Sequence, residues 1–443
     1  MDLTFLGDKV LLLIGLAVFC YLLLYSNYRK TILCLSDPLN TSLLLVACYF
    51  AGAFTLTTVF GYQPNSLFWE FMFLSVIFFV VSSLTALPVR RFRLPQLAMS
   101  ADAQYCFVII VGGLIVLNII INQVFGIMPF ISGSATRSDA GTVHVPSLYL
   151  VTPTIAYVEA VVAFLTEHRR VKKIAIAGLT LGIISNLLGG SKTSLLGLID
   201  ILLLYDYTLH LKKQSPSTNG IALQPQLSTI IQRLRRRIFV LCIGLAAALP
   251  FLLVFIGVGD GGGVAAAMAF MAIRLFGGFD GLIYLVTTGF DTGDIPKLDL
   301  TQLYFFPFYK AVAGPPEFQS IGEYIIYTVT SNYEFAKSGL NPNSSLPLEW
   351  IIGTQNFAIA AIGVAAISWL TFTIRNRLLN RKQIGMLGIF LWSIIITSPI
   401  SVLLDGEYFM TKLYISFIFY ILISILMNIM RIAVRRRVLL RIF

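Results

Sequence analysis

Four cations stand apart from the rest of the charge in this 443-residue chain: Arg137, Lys192, Arg274 and Lys412. Each sits where a polar break interrupts apolar sequence, and together they could hold a bulky anion. An arginine fork grips phosphate through two parallel N–H bonds, whereas lysine supplies a point charge. Arg274 ends an apolar run and is followed by Gly277 and Gly278, whose bare backbone admits a large ligand. The competing reading is a structural pair with Asp280. Arg137 lies in Gly133-Ser-Ala-Thr-Arg137, where a weak surface pair with Asp139 is the alternative. Lys192 follows Gly189, Gly190 and Ser191, a turn whose amides and helix start favour an anion. A tight turn with a snorkelling lysine explains it equally simply. Lys412 follows Asp405-Gly-Glu-Tyr-Phe-Met-Thr411, and an interface lysine beside Glu407 is the competing reading.

A proton acceptor would come from Asp139, His144, Asp280, Glu323, Glu334 or Glu407. Glu323 is the first choice because Ser320, Tyr324 and other aromatics surround it in sequence. His144 is the second; His168 and His210 sit among basic clusters instead. Asp291, Asp294 and Asp299 match no calcium-loop spacing and read as a solvated loop. No convergent carboxylate pair is visible, so neither a metal nor a cofactor is expected. Aromatics crowd residues 304 to 335, where they suit interface anchoring, sugar stacking or gripping of a lipid chain.

The elements that must position these groups are membrane helices. Hydrophobic residues make up 57% of the chain and charged ones 12%, against about 25% charged in soluble domains. Apolar runs long enough for a hydrocarbon core of about 30 Å recur throughout. Eleven spans are read: Val10–Tyr25, Asn40–Phe60, Leu67–Leu87, Gln104–Phe125, Leu148–Thr166, Ile174–Leu188, Ser194–Leu211, Ile238–Gly257, Leu348–Ile374, Ile384–Leu404 and Leu413–Met430. The expected fold is a single all-α, polytopic bundle over residues 1–443.

Charge then sets the topology. Of 32 Lys and Arg residues, 24 fall in six clusters on one side of the spans, which is therefore cytoplasmic. The clusters begin at Arg29, Arg90, Arg169, Lys212, Arg375 and Arg431. Besides the four cations above, only Lys9, Lys297, Lys310 and Lys337 fall on the other side, and these read as ordinary outer-surface charge. The net charge of +11 thus reflects insertion rather than nucleic-acid binding. The five cysteines lie in or beside apolar spans without metal-type spacing. Val10–Leu24 is apolar, but no small-residue cleavage site follows it, so no cleavable signal is expected.

Cytoplasmic loops are too short for a nucleotide-binding domain, and no phosphate-binding glycine loop is present. The outer side carries a long loop at residues 258–347. Within it, Val264–Phe276, Gly281–Val286 and Ile321–Thr330 are too short to span and suit re-entrant or interfacial helices.

The layout resembles the Wzy-type O-antigen and repeat-unit polysaccharide polymerases. Five segments carry the resemblance: Gly133–Arg137, Leu188–Ser194, Arg274 with Asp280-Gly-Leu282, Gly339–Ser345 and Asp405–Lys412. Other members often have Arg at the position of Lys192. The resemblance implies a GT-C-like bundle of about eleven helices in the bacterial inner membrane, with a periplasmic active site. It implies a glycosyltransferase that uses undecaprenyl-diphosphate-linked oligosaccharides as donor and acceptor, together with membrane lipid and a possible chain-length regulator protein. A hydroxyl of the incoming repeat unit would attack the anomeric carbon of the growing glycan, and undecaprenyl diphosphate would leave. Arg274 and Arg137 would stabilise the departing diphosphate, with Lys192 and Lys412 supporting. Glu323 or His144 would take the proton. A lipid-linked oligosaccharide flippase or an O-antigen ligase is the alternative. No internal repeat of the kind transporters show is visible, and the polar features cluster on one side.

Overall fold

The computed structural model describes residues 3–32, 37–59, 61–87, 95–124, 148–188, 280–304, 320–333, 345–397 and 406–440, with isolated positions between 202 and 240 and at 318 and 336. Among these residues the helices are α1 (Leu3–Tyr28), α2 (Pro38–Phe54), α3 (Ser66–Thr85), α4 (Ala101–Val124), α5 (Leu148–Leu165) and α6 (Arg169–Leu188). They continue as α7 (Asp280–Thr287), α8 (Leu300–Tyr304), α9 (Ile321–Thr330), α10 (Leu346–Thr354), α11 (Phe357–Asn380), α12 (Met386–Thr397) and α13 (Gly406–Leu440). Two strands, β1 (Gln96–Leu97) and β2 (Gln383–Ile384), pair in parallel.

Among the described residues, five stretches are long and apolar enough to cross a membrane: Pro38–Thr58, Ser66–Thr85, Ala101–Ile121, Phe357–Asn380 and Phe409–Met430. Their outward faces say the same. On α3, Trp69, Phe73, Val80 and Leu84 are exposed along one side, and on α13 so are Phe417, Ile421, Ile425 and Ile429. Water does not tolerate such continuous apolar stripes, whereas acyl chains do. The protein is a mostly helical membrane protein.

The chain forms two compact units. The first comprises Met1–Arg90, Gln232–Asn376 and Ser398–Thr411. Asp37 starts α2 by accepting the Leu39 N–H at 2.9 Å, with Pro38 at the first helical position. The same carboxylate takes two bonds from Arg375, of which the Nε bond is 3.0 Å. Both side chains are buried, and the fork geometry makes the pair bidentate. Asn376 donates to Thr85 O at 2.7 Å, so the C-terminal ends of α3 and α11 lie together. Further along, Ser82 and Ser368 Oγ are 2.8 Å apart, small residues that let the two helices approach closely. At its far end α2 widens into a π-helical turn, Thr55–Val59. There Thr55 and Thr57 back-bond to Ala51 O and Ala53 O at 2.8 and 3.0 Å.

The expected span Leu348–Ile374 is not one helix. Gln355 takes a left-handed conformation, φ 49°, and closes α10; Asn356 then caps α11 through the Ile359 N–H at 3.2 Å. Thr354 and Asn356 hydrogen-bond local backbone here while Gln355 donates to Ile295 O, and these three consecutive polar residues break the run. Gly363 allows the fold-back: a Cβ there would lie 2.2 Å from the Trp350 ring.

The second unit comprises Arg91–Ile231, Arg377–Thr397 and Lys412–Phe443. α5 is its axis, packed by α4, α6 and α12. Between Thr154 and Leu165 every side chain except Phe164 is buried, as expected of a helix enclosed by others. Phe390 of α12 meets Phe107 of α4 and Tyr420 of α13 edge-on, at 6.4 and 6.1 Å. The strands join the segments just before α4 and α12 through Gln96 N–H to Lys382 O, 2.9 Å, and Ala98 N–H to Ile384 O, 2.8 Å.

Several boundaries differ from the sequence expectation. α6 begins at Arg169 rather than Ile174, because Arg and Lys are good helix formers and their exposed charges need no loop. α13 runs through Arg431–Arg437, where arginine's helix propensity carries the helix on. The tenth expected span, Ile384–Leu404, opens on β2 and a helix of 12 residues. Ser194–Leu211 lies almost wholly, and Ile238–Gly257 entirely apart from Val240, outside the described residues.

Candidate functional site

The first unit gathers its polar chemistry at the end of α3 away from Thr85. Asn65 caps α3 by accepting the Phe68 N–H at 3.1 Å and donates to Phe290 O at 2.7 Å. Asp291 accepts from the Ser66 hydroxyl and from the Leu67 N–H, 3.0 Å. Thr292 donates to Glu70 at 3.0 Å. The hydrogen bond from Ser66 holds the Asp291 carboxyl below its ordinary range, with the neighbouring amides helping and partial burial opposing. Residues 290–292 are thereby fastened to the start of α3. Asp291 keeps the part-exposed loop position expected of it, and the start of α3 also recruits its carboxylate.

Glu349 is the central carboxylate of this region. It is fully buried on α10, accepts the Tyr304 hydroxyl at 2.8 Å and accepts the Gly406 N–H at 2.9 Å. Glu349 therefore ties Tyr304, in the long 258–347 segment, to Gly406, the first residue of α13. Only glycine fits at 406, where a Cβ would lie 2.3 Å from Glu349 Oε2. Gly353 similarly admits the Leu300 side chain, whose Cγ would be 2.1 Å from an added Cβ.

Beside this cluster, a cavity of about 490 Å³ opens between residues 290–299 and α9. Asp294, Lys297, Asp299, Phe318, Tyr324 and Tyr327 contribute to its lining. The Tyr324 hydroxyl donates to Pro296 O, and burial pushes its phenol up to about 12. Lys297, Asp294 and Asp299 are exposed, as expected of surface charge and a solvated loop, and they also border this cavity. The folding of the 290–299 segment back against α9 is a tertiary event that residue spacing does not announce.

Two of the expected site residues are described. Glu323 sits in the first turn of α9, where its N–H donates to Ser320 Oγ at 3.1 Å. Ser320-Ile-Gly-Glu323 has the spacing of a capping box, so Glu323 has a helix-starting role independent of any proton transfer. Lys412 is 2% exposed, and its Nζ stands 5.3 Å from the Tyr157 ring centroid, within cation–π range. It is not a solvated interface lysine. Arg137, His144, Lys192 and Arg274 lie outside the described residues, as do Asp139, Glu334 and the side chains of Asp280 and Glu407.

Two acidic residues escaped the sequence reading because they fell inside expected spans. Glu349 is one. The other is Glu159 of α5, 0% exposed, whose carboxylate fits against Gly178 and Gly112 and has no hydrogen-bond partner among the described residues. The available signal was the acid itself, since a carboxylate in an apolar run is costly and rarely idle.

No family model, curated protein or solved structure matches this chain.

Proposed function

We propose that this chain is an O-antigen polymerase: a multi-pass glycosyltransferase of the bacterial inner membrane. It would transfer the growing glycan from undecaprenyl diphosphate to the non-reducing-end sugar of an incoming lipid-linked repeat unit, at the periplasmic face. The observation that carries the reading is the Glu349 node. It holds Tyr304 of the long outer segment and Gly406, at the head of the Asp405–Lys412 segment on which the resemblance partly rests, on one buried carboxylate. An enzyme working at one face needs its polar segments assembled there. Glu349 acts in this reading as a positioning residue, since its bonds to Tyr304 and Gly406 fix the loop and the last outer turn.

Arg274 and Arg137, supported by Lys192 and Lys412, bind the leaving diphosphate. Glu323 or His144 takes the acceptor proton. The lipid-linked oligosaccharides are the substrates, and a chain-length regulator is the expected protein partner.

Deletion of the gene, followed by electrophoresis of the cell's lipopolysaccharide, tests this. A polymerase predicts core carrying a single repeat unit. Loss of every repeat unit points instead to a flippase or ligase. Complementation with Arg274→Ala should leave the single-unit band; a full ladder from that variant removes Arg274 from the site.

A further inference from the structure

We infer that the cavity between residues 290–299 and α9 is a saccharide-binding site, distinct from the cations assigned to the lipid diphosphate. The inference deepens the polymerase reading, on which it rests only for the identity of the glycan.

A volume of about 490 Å³ falls within the range of small-molecule sites, about 300–1,000 Å³. Phe318, Tyr324 and Tyr327 supply its apolar lining. Phe318 stands edge-on to Tyr324 at 5.4 Å and tilted to Tyr327 at 5.2 Å, so the three rings brace one another. Phe318 and Tyr327 are only half-buried and keep ring surface accessible. The C–H face of a pyranose packs on such surface through dispersion and the ring quadrupole.

The polar lining suits hydroxyls. Asp294 and Asp299 are acceptors, and a carboxylate offers about four lone-pair directions. Both are held in place beforehand: Asp299 Oδ1 takes the Thr301 N–H at 2.8 Å and its hydroxyl at 2.7 Å, and Asp294 Oδ2 takes the Asp291 N–H at 3.1 Å. The bond from Tyr324 to Pro296 fixes a ring of the wall in the same way. Such preorganisation lowers the ordering cost of binding.

Charge excludes the nearest rivals. Two aspartates face one lysine, Lys297, among the described lining residues, a balance that repels a diphosphate or an anionic headgroup. An acyl chain would gain nothing from the two carboxylates and would have to desolvate them. A hydroxyl-rich, neutral or amino-bearing sugar satisfies both kinds of lining at once.

The test uses the full-length protein in lipid nanodiscs. The probe is oligosaccharide released by mild acid from the host's own lipopolysaccharide, observed by saturation-transfer NMR. Magnetisation should pass to sugar ring protons. Tyr327→Ala should weaken binding at least tenfold, and the near-isosteric Asp294→Asn severalfold, both with unchanged thermal unfolding. No transfer to the probe, or transfer unaltered in both variants, overturns the site. So does quenching of the added indole in Tyr327→Trp by lipids brominated in their acyl chains, which would place this wall in the bilayer. Binding is read without turnover, so transfer in a protein whose deletion leaves the ladder intact keeps the site and discards the polymerase reading. A collapsed ladder without transfer does the reverse.

Discussion

Glu349 Oε1 lies 2.9 Å from the backbone nitrogen of Gly406, so close that a Cβ at 406 would meet the carboxylate at 2.3 Å. Gly406→Ala should therefore displace the carboxylate and loosen the start of α13, the helix that carries Lys412. Glu349→Ala should be worse, since it leaves the Tyr304 hydroxyl and the Gly406 N–H buried without this acceptor, at about 1–3 kcal/mol each. Thermal unfolding of the purified protein and the lipopolysaccharide ladder of complemented cells should fall together in both variants. A full ladder from Gly406→Ala would show that the junction does not position the site.

Removing one partner of the Asp37–Arg375 pair should cost more than removing both. Arg375→Met strands a buried carboxylate and should destabilise by about 3–5 kcal/mol. The double variant Asp37→Asn with Arg375→Met keeps an oxygen to cap α2 and should recover most of that loss. Melting temperatures of the three proteins in one detergent decide the matter.

Lys412 separates packing from charge. Its stem is buried and its ammonium faces Tyr157, so Lys412→Met should retain the packing and lose only the charge. If the cation supports a departing diphosphate, protein levels should hold while polymerised lipopolysaccharide drops at least tenfold. A full ladder from Lys412→Met would reduce Lys412 to a packing residue.

Tyr324 should mark the alkaline limit of the loop. Its phenol is raised to about 12 by burial, against about 10 in an unfolded chain. The folded state thus favours the neutral phenol. That contribution is complete below pH 10 and is lost as pH rises from there through about 12. Difference absorbance at 295 nm should show tyrosine ionising late, and Tyr324→Phe should remove one tyrosine's share of that late amplitude.

Much of the fold was legible. α2, α3 and α4 lie where apolar runs near twenty residues announced them, and α7 and α9 coincide with Gly281–Val286 and Ile321–Thr330. The break between α10 and α11 was misread. Leu348–Ile374 is longer than a bilayer requires, and Thr354-Gln-Asn356 marks where the excess turns away. The capping box at Ser320 was equally readable and explains a residue chosen for other reasons. The cavity was not readable, because Asp294 and Asp299 acquire their setting only when the 290–299 segment packs on α9. Nor was the Glu349 node, whose partners Tyr304 and Gly406 come from two other stretches of chain.

The buried pair at the base of α11 also imposes an order on biogenesis. Asp37 and Arg375 are 338 residues apart. At about 5–20 residues per second, Asp37 is synthesised tens of seconds before its partner exists. Until then the α1–α2 hairpin carries an acid with no arginine to meet. It must wait in water at the membrane surface or be shielded by the insertion machinery. Arrival of α11 is thus a commitment step, after which α1 and α2 are fastened to a helix made 338 residues later. Chains truncated before residue 375 should therefore be prime substrates for membrane quality control.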